Sequence, residues 1–222
     1  MESQYNDELQ RQIDDIFQKS ITRHRYSLGI SQILHLLEKA KEEKPSSKTL
    51  YQLGFLFDHV ALRRKNAKER HVYETKALSY YRHALKLDPR DPFAVWGIGR
   101  VWWHREDKRS LLYAKKAYSL AKTQRCDFGP FAQNIGVIYE ELLRRYTLAE
   151  KWYLRALKEE QRKTAWSYVN LIQLYTKLGK LKQAKKLAEK ASILLKKTPL
   201  ELQKSLSGKW LAEIIFEAKK GR

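Results

Sequence analysis

Six histidines and one cysteine are the side chains of this sequence best suited to metal binding or nucleophilic catalysis. No two histidines are four residues apart, the spacing of a zinc-binding helical pair; they are His24, His35, His59, His71, His83 and His104. Cys126 lies in a predicted turn, QRCDFGP, with His104 as its nearest histidine in sequence. The GIG segment at 97–99 lacks the third glycine and the preceding strand of a dinucleotide fingerprint. These residues predict no catalytic activity, no metal site and no cofactor.

Amide side chains recur at one helical position and are suited to binding a peptide backbone. Asn134 and Asn170 each stand two residues after the first apolar residue of a helical stripe; Gln52 holds the same place, and Gly97 interrupts the row. A side-chain amide offers one acceptor and two donors, which match the groups of an extended peptide. The alternative interpretation is that asparagine simply occupies a polar helix face.

Aromatic and cationic side chains are mixed along the same segments. The aromatic residues are Tyr51, Phe55, Trp96, Trp103 and Trp166, and the cationic or titratable ones are Arg100, His104 and Lys177. Such a mixture can anchor apolar side chains of a peptide and bind its acidic ones. It can also stack unpaired bases and bind phosphates. Asp58, Glu140 and Glu141 are predicted to fall in or near the surface that carries this mixture, where they would repel phosphate, which favours the peptide.

Four apolar stripes with the spacing i, i+3, i+4, i+7 predict the helices that position these residues. They are Leu50, Leu53, Gly54, Phe57; Val95, Ile98, Gly99, Trp102; Ala132, Ile135, Gly136, Tyr139; and Tyr168, Leu171, Ile172, Tyr175. A second helix follows each stripe, with a small residue, an aromatic or small residue and an alanine at spacings of four and three. The recurring alanine is Ala40, Ala84, Ala117, Ala156 and Ala191, at steps of 44, 33, 39 and 35 residues.

This pattern resembles the tetratricopeptide repeat, W-x2-L-G-x2-Y followed by A-x3-F/Y-x2-A and a proline, with a period of about 34 residues. The resemblance implies an all-α solenoid of stacked antiparallel helix pairs, a tetratricopeptide-like superhelix, in a single helical-repeat domain over 1–222. The repeats are predicted at 48–91, 92–125, 128–161 and 164–199, with a degenerate helix pair at 6–43 and a capping helix at 205–220.

The sequence departs from the family pattern in two places that matter below. The stretch between Phe57 and Ala77 is longer than in the other units, which indicates either an insertion or two lengthened helices, and it contains RRKNAKER. The capping helix is predicted to bury a face carrying Leu206, Trp210 and Ile214, because a solenoid needs its exposed end covered.

The resemblance also implies that the first helix of each pair lines a concave groove. The residues predicted to bind a peptide there are Gln52, Phe55, Trp96, Arg100, Trp103, Gln133, Asn134, Trp166, Asn170, Gln173 and Lys177. In this prediction the asparagines bind the peptide backbone, the tryptophans anchor side chains, and Arg100 and Lys177 bind acidic groups. A second, basic contact surface is predicted at Arg63, Arg64, Lys65, Lys68 and Arg70.

Charge and composition limit the partners without naming one. The 222 residues include 45 Lys and Arg against 25 Asp and Glu, a formal charge of +20. This excess predicts either an acidic partner or only a solvated surface. The sequence lacks the apolar run of a signal peptide or a membrane span, which predicts a cytoplasmic protein.

The favoured function is a protein-interaction scaffold that binds an acidic, extended or helical peptide; the alternatives are a single-stranded nucleic-acid binder and a chaperone adaptor. Oligomeric state is left open.

Overall fold

A computed structural model describes residues 2–39, 45–126, 129–160, 166–197 and 206–220 of the chain. Within these residues the chain forms eleven α-helices and no strand. They are α1 (Glu2–Thr22), α2 (Tyr26–Lys39), α3 (Ser47–Leu62), α4 (Ala67–Leu87), α5 (Pro92–His104), α6 (Arg109–Thr123), α7 (Gly129–Val137), α8 (Tyr146–Glu159), α9 (Trp166–Lys177), α10 (Leu181–Lys196) and α11 (Leu206–Lys220). The predicted all-α fold is confirmed. None of the described helices combines the length and apolar character needed to cross a bilayer.

The chain divides into two compact units, Met1–Ala117 and Tyr118–Arg222. In the first unit α1 packs on α2, α2 on α3, α3 on α4 and α4 on α5. In the second unit α7 packs on α8, α8 on α9, α9 on α10, and α11 on both α9 and α10. Each unit is therefore a series of antiparallel helix pairs, and the boundaries predicted for the repeats remain a prediction.

Side-chain caps explain where three helices begin. The Asn66 side chain accepts hydrogen bonds from the backbone N–H groups of Lys68 and Glu69 and thereby starts α4. Asp91 accepts from the second and third residues after it, and Pro92 follows as the first residue of α5. Ser46 caps α3 in the same way. Each cap satisfies backbone donors that a helix leaves unpaired at its first turn, worth about 1 kcal/mol.

Three glycines allow tyrosine rings to pack directly on the first helices of the pairs. The ring of Tyr81, on α4, is fully buried. It lies against Gly54 of α3 and Gly97 of α5, where an added Cβ would collide with the ring. In the second unit Gly136 of α7 accommodates the ring of Tyr153 of α8 in the same way. Gly97, which interrupts the row of amides, is therefore needed for helix packing.

The recurring alanines of the second helices, Ala84, Ala117, Ala156 and Ala191, are all buried. Because protein interiors are close-packed, a larger side chain at such a point would force the helices apart. Ala40 lies outside the described residues.

The extra length in the first repeat is taken up by two lengthened helices. The helices α3 and α4 have 16 and 21 residues, and only residues 63–66 separate them. The RRKNAKER segment therefore spans the turn and the first turn of α4, and the insertion alternative does not apply.

The capping helix α11 buries a different face from the predicted one. Its buried residues are Leu211, Ile215 and Ala218, whereas Trp210 is 45% exposed and Ile214 is half-buried. The side chain of Leu206, the third residue of the predicted face, lies outside the described side chains. Both stripes have helical spacing, and the packing of α11 on α9 and α10 determines which one is covered.

Candidate functional site

The predicted groove residues of α3 are covered by α1. The Gln52 side chain is buried and donates a hydrogen bond to Asp14 Oδ1 at 2.8 Å, and Gln10 donates to the Gln52 carbonyl oxygen at 3.4 Å. Phe55 packs edge-on against Phe17 of α1, with ring centroids 5.5 Å apart. Burial alone would raise the pKa of Asp14, but hydrogen bonds from Lys48, Gln52 and Gln10 hold it below its usual value. Gln52 is therefore not open to a ligand, whereas Phe55 is half-buried and part of its ring is packed on Phe17.

Arg100, predicted to bind acidic ligand groups, is occupied by a carboxylate of the chain itself. Its Nη2 lies 3.0 Å from Asp58 Oδ2, and the two side chains are 13% and 1% exposed. The same guanidinium group lies over the ring of Phe55 and 3.0 Å from His59 Nε2. Burial raises the pKa of Asp58 to about 6 although Arg100 opposes the change. Burial, reinforced by Arg100, lowers the pKa of His59 to about 3. This corrects the predicted role: Arg100 is a buried ion-pair partner.

Two tryptophans predicted as anchors lie on one face of α5. Trp96 and Trp103 are seven residues apart, which places them on the same side of the helix, and both are half-buried. Trp103 is tilted against His104, with ring centroids 4.7 Å apart. Burial lowers the pKa of His104 to about 4, so this imidazole is neutral near pH 7. The side chain of Trp166, the third predicted anchor, lies outside the described side chains.

The second unit keeps the two predicted asparagines available. Asn134 on α7 and Asn170 on α9 are half-buried. Neither side chain makes a hydrogen bond to another residue of the described part of the chain. Gln133, next to Asn134, is also half-buried but does interact with the protein. Two equivalent amides are therefore left with donors and acceptors that a ligand can use.

A cavity of about 530 Å³ lies on the same face of α9 as Asn170. Gln173, three residues after Asn170, and Lys177, seven after it, both line the cavity. The other lining residues are Thr176 of α9 and Trp210, Glu213, Ile214, Glu217 and Ala218 of α11. The cavity thus combines an aromatic and aliphatic wall with two carboxylates.

Lys177, like Arg100, contacts a carboxylate of the chain. Its Nζ donates a hydrogen bond to Glu140 Oε1 at 3.3 Å, and the Tyr153 hydroxyl donates to Glu140 Oε2 at 3.0 Å. Glu140 lies in a π-helical turn, Ile138–Leu142, that extends α7. Burial and the neighbouring Glu140 raise the pKa of Glu141. Lys177 is 43% exposed, so solvent screens the attraction between Lys177 and Glu140 more than that between Arg100 and Asp58.

The predicted basic contact surface lies at the turn between α3 and α4. Arg63, Lys65, Lys68 and Arg70 are exposed and Arg64 is half-buried. Arg63 and Arg64 lie over the rings of Tyr26 and Tyr73, with guanidinium carbons 4.3 and 5.0 Å from the ring centres. Their role as a contact surface stays a prediction, and the sequence did not predict the aromatic rings against which two of the arginines lie.

The residues that sequence reasoning missed are those of α11 that line the cavity. The sequence pattern predicted Trp210 and Ile214 on the buried face and indicated no role for Glu213 and Glu217. The signal available was the amphipathic pattern of α11, which has two apolar stripes. Within the described residues no cluster of three His, Cys, Asp or Glu side chains is arranged to bind a metal ion.

Comparisons with known proteins support the architecture. No family model and no curated protein sequence matches the chain. The solved structure of TTC0263, a thermophilic tetratricopeptide-repeat protein of Thermus thermophilus, matches with a TM-score of 0.61 at 19% identity, covering 92% of this chain and 99% of its own. PilF of Pseudomonas aeruginosa matches with a TM-score of 0.57 at 13% identity, covering 97% and 92%. BtubC of P. vanneervenii matches with 0.52 at 15% identity, covering 99% and 90%.

These similarities concern the fold, and they agree with the repeated glycine–tyrosine and alanine packing described above. The chain therefore has the helical-repeat fold of tetratricopeptide-repeat proteins.

Proposed function

We propose that the chain is a non-catalytic protein-interaction scaffold that binds an extended peptide on the face formed by α7, α9 and α11. The observation that carries this proposal is the pair of equivalent asparagines, Asn134 and Asn170, whose side-chain amides have no partner in the described part of the chain. Half-buried amides without partners are costly unless water or a ligand satisfies them.

The cavity beside α9 supplies the second element of the proposal, an anchor point. Lys177, at the far side of the cavity, is about 10 Å along α9 from Asn170, because a helix rises 1.5 Å per residue. An extended peptide covers that distance in about three residues. A backbone held by Asn170 therefore places a nearby side chain against Trp210 and Ile214.

The charge of the cavity determines which side chain fits. Glu213 and Glu217 line it, and Lys177 is engaged by Glu140. An acidic peptide, as predicted from the sequence, would meet these carboxylates and find both of its predicted cationic partners occupied. We therefore infer an apolar or aromatic anchor with Lys or Arg beside it.

Selection from a library of random extended peptides tests this function. We expect enrichment of sequences with an aromatic or aliphatic residue next to a cation. Replacing both Asn134 and Asn170 by alanine should weaken a selected peptide about ten- to a hundredfold, since each site loses hydrogen bonds of about 0.5–1.5 kcal/mol. Circular dichroism should show an unchanged fold.

The matched control is Gln183→Ala, which removes an exposed amide from α10. It should leave the dissociation constant unchanged within about twofold, since surface substitutions away from a site have little effect. Failure to enrich any peptide, or binding that the asparagine pair does not affect, would refute the proposed site.

A further inference from the structure

A second cavity, separate from the peptide-binding face, lies at the helix turns of the first unit. Its volume is about 330 Å³. It is lined by the turn between α1 and α2, the first turn of α2 and the end of α3: His24, Arg25, Tyr26, Ser27, Leu28, Val60, Arg63 and Arg64. We call it the turn cavity.

The turn cavity is strongly cationic. Three of its lining residues are arginines and none is a carboxylate. Arg25 and Arg63 make no ion pair with any residue that the structure describes. Arg64 makes one long, solvent-exposed ion pair, with 3.9 Å between its Nε and Glu69 Oε2. Guanidinium groups that line one cavity, only one of them paired with a carboxylate, repel one another, and an anion bound in the cavity would lower that cost.

Arg63 is held in place before any ligand arrives. Its guanidinium group lies 4.3 Å from the centre of the Tyr26 ring, and its Nη2 is 3.3 Å from His24 Nδ1. The hydroxyl of Tyr26 lies 3.1 Å from the same histidine nitrogen, and the Tyr26 ring is stacked on that of His59 with centroids 4.7 Å apart. A side chain whose rotamer is already fixed loses less entropy on binding.

Backbone donors add to the arginines. The first N–H of α2 with a backbone acceptor is that of Gly29, which donates to the Arg25 carbonyl at 3.0 Å. The N–H groups of Tyr26, Ser27 and Leu28, which border the cavity, have no acceptor within the described residues. Donors of this kind complement guanidinium groups in oxyanion binding.

We propose that the turn cavity binds a phosphate monoester. The arginine fork matches both carboxylate and phosphate oxygens, but three guanidinium groups without a carboxylate favour a dianion over a single negative charge. The side chains of Leu28 and Val60 also line the cavity and offer an apolar wall to the organic part of the ester. A concave site of this size accepts one phosphate group, whereas a nucleic-acid backbone would need a row of cations along a groove.

Titration of the full chain with inorganic phosphate and with phenyl phosphate, followed by amide NMR, tests the site. We expect saturable shifts of the Ser27 and Leu28 amides, with phenyl phosphate binding more tightly because of the apolar wall. Arg63→Gln and Arg64→Gln should each weaken binding about tenfold, as expected for the loss of a charge-assisted hydrogen bond. Arg82→Gln, an exposed position near the other end of α4, is the matched control and should have no effect.

Two further probes separate the sources of the phosphate. A phosphotyrosine peptide that binds more tightly than phenyl phosphate would assign the site to a phosphorylated protein, and the reverse order to a small molecule. Either order supports the proposal. It is overturned if neither phosphate compound saturates, if Arg82→Gln weakens binding as much as Arg63→Gln, or if only a single-stranded oligonucleotide binds.

Discussion

In the sequence Arg100 holds the position of a ligand-binding residue, but in the structure it forms a buried ion pair with Asp58. Arg100 follows an apolar stripe on a first helix, where a groove residue is expected, but its guanidinium group lies 3.0 Å from a carboxylate 42 positions earlier. Sequence spacing reveals the face of a helix on which a residue lies, and it does not reveal a partner on another helix.

Removing Arg100 should destabilise the first unit. Arg100→Ala leaves the Asp58 carboxylate buried without a counter-charge, which typically costs about 3–5 kcal/mol. Urea unfolding followed by circular dichroism measures the loss. In the double variant Asp58→Leu/Arg100→Met, which replaces the pair by apolar side chains, we expect most of this stability to return.

The pH dependence of that loss has a defined sign. Burial already raises the pKa of Asp58 to about 6, and removal of Arg100 takes away the opposing effect and raises it further. A carboxyl group with a raised pKa in the folded state lowers stability above its unfolded pKa, near 3.9. The loss should therefore be largest near pH 8 and shrink towards pH 4, where Asp58 is protonated in both proteins. A loss that does not vary with pH would contradict a buried Asp58.

Helix α11 has two apolar stripes, one of which is buried while the other lines the proposed binding site. Leu211, Ile215 and Ala218 are buried, and Trp210 and Ile214 line the cavity beside α9. The buried stripe stabilises the second unit, and the other stripe faces the space that a ligand would fill. One helix thus covers the apolar end of the repeats and contributes a wall to the candidate site.

Alanine substitutions on the two stripes should separate these roles. Leu211→Ala should lower the free energy of unfolding by about 2–5 kcal/mol, as in other buried leucines. Trp210→Ala should cost about 1 kcal/mol or less, because nearly half of the side chain is already exposed, while weakening a selected peptide. Equal destabilisation by both changes would mean that Trp210 belongs to the core.

The positive charge of the molecule is distributed unevenly between the two candidate sites. The candidate peptide face carries little of the net charge of +20, since Glu213 and Glu217 line its cavity. In the first unit, by contrast, Arg25, Arg63 and Arg64 line the turn cavity. A single figure for net charge therefore does not describe any of the surfaces that a partner would meet.

General attraction to nucleic acid should be weak. We expect single-stranded RNA to bind with a dissociation constant of about 10⁻⁴–10⁻⁶ M at physiological salt, the range of non-specific binding. The log–log slope with salt should be about −0.7 for each phosphate contact. Fluorescence anisotropy at several salt concentrations measures both values. Sub-micromolar binding at physiological salt would favour the nucleic-acid function over the scaffold.

The repeat pattern was sufficient to predict the helices and the packing of α3 on α4, α7 on α8 and α9 on α10. Gly54, Gly136 and the alanines at 84, 117, 156 and 191 mark points of close approach, and the structure buries all of them. Helical periodicity and small-residue spacing are local properties, so they can be read within one stretch of sequence. The pattern did not determine the lengths of α3 and α4, since an insertion and two longer helices have the same residue count.

The candidate site depended on contacts between residues far apart in sequence. Asn134 and Asn170 were identified from their equivalent positions, but only the structure shows that their side chains have no partner in its described part, whereas Gln52 is bound by Gln10 and Asp14 of α1. The sequence by itself determined which residues share a helix face. The tertiary structure decided which faces are covered, because burial and ion pairing depend on the neighbouring helix and not on the helix that carries the residue.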